Sequence, residues 1–152
     1  MKKFVSALVI AATMTGGAAF AQDYKNQLKA RQGSMWVVAL NMGVLGGMAK
    51  GEMEYDADKA MAAAHSLHGV SMIHFASLFP EGSDGAMIEG TTAKDTINSD
   101  MAGFQEKWDA FGAAAERAVA EVGNGQEALG PVMGALGGTC KACHQDYRIP
   151  QE

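Results

Sequence analysis

Five residues near the C-terminus, Cys140-Lys141-Ala142-Cys143-His144, constrain this chain more than any other stretch. They hold both of its cysteines, with two residues between them and a histidine directly after. That spacing is the one a c-type haem attachment site uses. Two thiols add to the two vinyl groups of a haem as thioethers, and the imidazole supplies a nitrogen to the iron. On a helix, residues three and four apart are neighbours, so Cys140, Cys143 and His144 would gather within one turn.

Other chemistries use only part of this motif. A thioredoxin-like Cys-x-x-Cys goes with a βαβ pattern, which the sequence lacks. A closed zinc site needs four ligands, and with no third cysteine it would have to recruit His65, His68 or His74. A disulfide would occupy both thiols and leave His144 without a role.

The N-terminus reads as an export signal. Lys2 and Lys3 form a basic start, Phe4 to Ala12 an apolar run, and Ala19-Phe20-Ala21 a small-residue cleavage site. The run is well short of the ~20 residues a membrane span requires. Residues 1–21 are therefore expected to be removed, leaving residues 22–152 as a single periplasmic domain. Haem attachment by the bacterial route follows export, so the compartment suits the motif. Of 12 basic and 17 acidic residues the leader holds two basic and no acidic ones, so its loss takes the net charge from −5 to −7. An acidic chain is a poor match for nucleic acid or an anionic membrane. A redox partner protein with a basic docking patch is the expected complement.

Apolar positions recur at helical spacing and strand-like alternation of Val, Ile and Thr is missing, which predicts an all-α fold. A first helix is expected from about Asp23 to Lys50, with Leu28, Arg31, Met35, Val38, Met42, Leu45 and Ala49 on one stripe. Gly51 is its stop. Gly43, Gly46 and Gly47 cost up to about 1 kcal/mol each relative to alanine, and would let another helix approach closely. A second helix runs from an Asp56 N-cap to about Leu78, before Pro80. It carries two adjacent stripes, Met61-His65-His68-Met72-Phe75-Phe79 and Ala60-Ala64-Leu67-Ser71-His74-Leu78, and the pattern leaves open which faces the core.

After a long loop a third helix is expected from Thr92 or Ala93 to about Val122. Thr92 and Asp95 resemble a capping box, with Ile97, Met101, Phe104, Trp108, Phe111 and Ala115 inward. Asn124 with Glu127 can cap a fourth, Pro131 marking where regular helix begins. Leu129, Val132, Met133, Leu136, Cys140, Cys143 and Tyr147 share its face. Four helices with short connections predict an antiparallel four-helix bundle, one covalent haem c sitting on the core side of the last helix.

Nothing after His144 offers a second iron ligand. One would have to come from Met35, Met42, Met72, Met101, Met133, His65, His68 or His74. Methionine is also a common core filler, and the three histidines lack the further ligand that would complete a separate metal site.

The chain resembles the class II cytochromes c, the cytochrome c′ family, over essentially its whole mature length. The resemblance rests on Gly137-Gly138-Thr139-Cys140-Lys141-Ala142-Cys143-His144-Gln145-Asp146-Tyr147-Arg148 and on Ala30-Arg31-Gln32 with Met35. Met48-Ala49-Lys50-Gly51-Glu52 and Leu78-Phe79-Pro80-Glu81-Gly82-Ser83 add to it. It implies a four-helix bundle with haem on the last helix, usually a homodimer through the first two helices. It also implies that His144 is the axial iron ligand, that Met35 sits over the distal haem face, that Arg31 lies close to the propionates and that Arg148 stands beside the proximal histidine.

Members of the family either leave the iron five-coordinate and open to NO or CO, or bind it with a methionine at or near the position of Met35. Met35 is compatible with both. The sequence departs from the family after Ile97, where Asn98 stands in place of a frequent tryptophan. The expected function is non-enzymatic single-electron transfer, with NO or CO binding as the alternative. Thiol–disulfide chemistry at Cys140 and Cys143 is a third reading that lacks its fold pattern.

Overall fold

The structure is a computed structural model and describes residues 24–151. The export signal expected at residues 1–21 lies outside the described residues. Five helices follow in order: α1 (Lys25–Ala49), α2 (Ala57–Ser71), α3 (Thr96–Ser99), α4 (Met101–Glu121) and α5 (Gln126–Tyr147). The four long ones surround one core, with α1 against α2 and α5, and α4 against α2 and α5. α3 is a single turn leading into α4. This is the all-α four-helix bundle that the sequence predicts.

α1 ends as expected. Gly51 takes φ +73°, and the Gly51 and Glu52 amides reach back to the Met48 and Gly47 carbonyls at 3.1 and 2.9 Å. Asp56 caps α2, accepting from the Lys59 amide at 3.0 Å. α2, however, stops at Ser71 and does not run to Leu78. A 3-10 segment, Phe75–Leu78, follows and brings Phe75 into the core. The break is stabilised from α4: Trp108 Nε1 donates to the Ile73 carbonyl at 3.1 Å.

The third helix also differs from expectation, being interrupted at Asp100 (φ −135°, ψ 52°). The Asp100 side chain caps α4, accepting from the Gly103 amide at 3.2 Å. Thr92 makes no capping box; its hydroxyl accepts from Arg148 Nε at 3.3 Å. Asn124 lies in a second 3-10 turn, Val122–Asn124. α5 begins at Gln126, after a Gly125 with φ +110° and no capping side chain. Pro131 therefore sits inside regular helix. Pro131 and Glu127 are both exposed, leaving water to serve the Glu127 carbonyl that proline cannot.

The stripes on α1, α4 and α5 pack inward, burying Val38, Leu45, Phe104, Trp108, Leu129 and Leu136. On α2 the small stripe faces the core: Ala60, Ala64 and Leu67 are buried, whereas His65 and Met72 are exposed. Gly46 gives α1 its close approach to α5, since a Cβ there would stand 3.3 Å from Met133 Cε. At the α4–α5 connection the Tyr55 hydroxyl donates to the Val122 carbonyl at 2.9 Å and accepts from the Gly125 amide at 3.2 Å.

Candidate haem site

The bundle holds a cavity of about 770 Å³, a size typical of cofactor sites. α5 contributes Thr139, Cys140, Cys143, His144 and Tyr147; α1 contributes Arg31, Met35, Val38 and Met42; α4 contributes Phe104, Lys107, Trp108 and Phe111. Phe75, Phe79, Ile97, residues 90–93 and Arg148 also line it, as do Gln32, Trp36 and Ala39 of α1. All six residues singled out from the sequence (Cys140, Cys143, His144, Arg31, Met35 and Arg148) thus face one space. Of the upstream ligand candidates, Met42 joins them; Met72, Met101, Met133, His65, His68 and His74 are not part of the lining.

One wall is aromatic. Phe75 stacks on Trp108 at 4.1 Å between centroids, and Phe79 meets Phe75 and Phe104 edge-on at 5.1 and 5.0 Å. Phe104 meets Tyr147 edge-on at 5.3 Å. Interlocked rings of this kind make a stiff apolar surface against which a planar ring can lie.

The charged lining residues are Arg31, Lys107 and Arg148, with no carboxylate among them. In an acidic chain this local reversal of sign suits a ligand that carries carboxylates. Arg31 is only 4% exposed. Its Nη1 donates to the Ser83 hydroxyl at 3.2 Å and its Nη2 to the Ser83 carbonyl at 2.5 Å, while the guanidinium lies 4.7 Å from the centroid of the Phe79 ring. Burial lowers the Arg31 pKa, opposed by the charge of Asp84. Arg31 Nε is buried without a hydrogen-bond partner among the described residues. A buried donor left unsatisfied is costly, and a haem propionate would supply the acceptor.

Cys140 and Cys143 are partly buried and not bonded to each other. Burial pushes both thiols up, Cys143 to about 11 with help from the charge of Cys140. Both are therefore neutral thiols near pH 7, a poor state for thiolate redox chemistry. Burial and the Arg148 charge lower the His144 pKa, favouring the neutral imidazole that binds metals. Among the described residues no group of three or more His, Cys, Asp and Glu is arranged to hold a metal ion, so the zinc alternative finds no ligand set there. Two thiols and an imidazole within one turn, an aromatic slot and a buried arginine with a free donor all fit haem c.

Among the lining and supporting residues that sequence reasoning missed are Lys107, Trp36 and Ser83. Lys107 pairs with Asp146 at 3.2 Å, joining α4 to the last turn of α5; its place between Phe104 and Trp108 on the inward stripe was a usable signal. Trp36, directly after Met35, lines the cavity yet is 70% exposed. Ser83 carried no signal of its own as the partner of Arg31.

A family model described as cytochrome C′ matches residues 26–148. The chain is 39% identical to the cytochrome c′ of Cereibacter sphaeroides over 149 residues, covering 98% of this chain and 99% of that one. A solved structure of cytochrome c′ from Rhodobacter Spheriodes, also 39% identical, has a TM-score of 0.81 and covers 86% of this chain and 100% of that one. A ferrous variant of cytochrome c prime from Alcaligenes xylosoxidans with bound NO is 28% identical, with a TM-score of 0.72 over 85% of this chain and 98% of that one. Sequence, fold and cavity agree on one assignment: the chain belongs to the cytochrome c′ family, the class II cytochromes c, and its cofactor is covalently attached haem c.

Proposed function

We propose that this chain is a single-electron carrier, exported to the periplasm by residues 1–21. The observation that carries the reading is that Cys140, Cys143 and His144 of α5 and Met35 of α1 line one largely apolar cavity. In this reading the two cysteines would hold the haem through thioethers, and His144 and Met35 would supply ligands to its iron. When bound, the haem iron supplies a one-electron couple. The chain's own part is to tune that couple through its ligands, burial and nearby charge. The thioether of Met35 favours the ferrous state, the aromatic wall excludes water, and Arg31 and Arg148 offset propionate charge. No bond-making residue is required. A reversible potentiometric titration with one-electron slope is the expected result; an irreversible response would count against a carrier.

A second reading draws support from the NO-bound relative. If Met35 only covers the iron, the same cavity is a binding site for NO or CO. For assembly, the exposed Trp36 and Leu40 of α1 and Met72 after α2 support a homodimer through these helices.

A further inference from the structure

We propose that Asp100 and Tyr147 are positioning residues for the axial histidine, forming a lateral tie that fixes the rotation of the last turn of α5. The inference rests on the reading that His144 binds the iron.

The last four carbonyls of a helix lack intrahelical donors, and in α5 each has a partner. The His144 carbonyl accepts from the Arg148 amide at 3.2 Å and that of Tyr147 from the Lys94 amide at 3.0 Å. Lys94 Nζ donates to the Gln145 carbonyl at 2.9 Å, and Thr96 Oγ1 to that of Asp146 at 3.3 Å. Such carbonyls point along the helix axis, so these bonds fix where α5 ends and resist rotation about that axis only weakly.

Rotation is resisted by ties that run sideways: the partly exposed Lys107–Asp146 pair at 3.2 Å is one, and the shorter, more buried one comes from Tyr147. Its hydroxyl donates to Asp100 Oδ2 at 2.6 Å, acting at the end of a long lever on the turn that carries Cys143 and His144. The acceptor is itself held, because Asp100 Oδ1 caps α4 at the Gly103 amide. A short phenol–carboxylate bond is of the strong, charge-assisted kind. The space is built for it: a Cβ on Gly103 would stand 2.5 Å from Asp100 Oδ2 and 2.6 Å from Tyr147 Oη. Burial of the ring against Phe104 would be served equally by phenylalanine, so the hydroxyl is there for the tie.

The test uses the ferric holoprotein and proton NMR of the hyperfine-shifted haem-methyl resonances, whose spread follows the orientation of the axial imidazole. Tyr147→Phe keeps the ring and removes the donor. Asp100→Ser keeps a cap for Gly103 and falls short of Tyr147. Each is expected to change the spacing of the methyl resonances, with the double variant matching either single. Val122→Ala, a core change at the α4–α5 connection, should lower stability and leave the pattern alone. A Tyr147→Phe spectrum identical to wild type would overturn the proposal, as would additive effects in the double variant. A wild-type spectrum without iron-shifted histidine signals would overturn the ligand assignment itself, and the tie with it.

Discussion

Arg31 and Ser83 are joined twice, through the serine hydroxyl at 3.2 Å and its carbonyl at 2.5 Å. Gln32 Nε2 adds a bond to the Gly90 carbonyl at 2.6 Å, and the Tyr24 hydroxyl one to that of Glu81 at 2.8 Å. The far end of this loop pairs Ala93 with Arg148 just beyond α5. One loop therefore links α1, which carries Met35, to α5, which carries His144. Arg31→Met keeps much of the volume and removes the charge-assisted bonds. It is expected to lower holoprotein stability by about 2–3 kcal/mol, read from denaturant unfolding. Unchanged stability would show that neither Ser83 nor a propionate depends on this cation.

Gly103→Ala sets two effects against each other. Helix propensity alone would make alanine more stable by about 1 kcal/mol. The added Cβ, however, would fall within 2.6 Å of two oxygens, and overpacking costs about 1–3 kcal/mol. Net destabilisation is expected in denaturant titrations; a gain would mean that the Asp100–Tyr147 bond yields without cost.

The same bond gives a pH signature. Donation to Asp100, then burial, raises the Tyr147 phenol from 10.0 to about 12. Its contribution is complete below the unfolded pKa and is lost as pH rises from 10 to about 12, where the unfolded chain has released a proton that the fold still holds. The hydrogen bond from Tyr147, then that from the Gly103 amide, lowers the Asp100 pKa. That contribution is present above the ordinary carboxylate pKa of 3.8 and fades as pH falls below it. Unfolding free energies of wild type and Tyr147→Phe should therefore converge toward pH 12. Parallel curves would contradict the assignment.

Leu40→Glu places a charge on the exposed face of α1, where Leu40 is 67% exposed. Sedimentation is expected to show wild-type dimers becoming monomers while the haem spectrum stays unchanged. An unaltered dimer mass would exclude this face.

The inward stripes of α1, α4 and α5 are legible in the sequence because burial repeats at the helical period. The haem motif is legible because covalent attachment demands its residues at fixed spacing. What the sequence hides is decided by partners distant along the chain. α2 ends at Ser71 where Trp108 meets the Ile73 carbonyl, and α4 starts after Asp100 where Gly103 and Tyr147 converge on its carboxylate. Neither stop is marked by a local proline. On α2 both candidate stripes are amphipathic enough to pack, and the close approach of α1 and α4 selects the one rich in alanine.

The ferrous absorption spectrum, recorded with and without CO, tests the electron-carrier reading most directly. Sharp low-spin bands that CO leaves in place are the expected result, with Met35→Ala turning them high-spin and CO-sensitive. A wild-type high-spin spectrum that CO shifts would contradict ligation by Met35 and assign the distal face to gas binding.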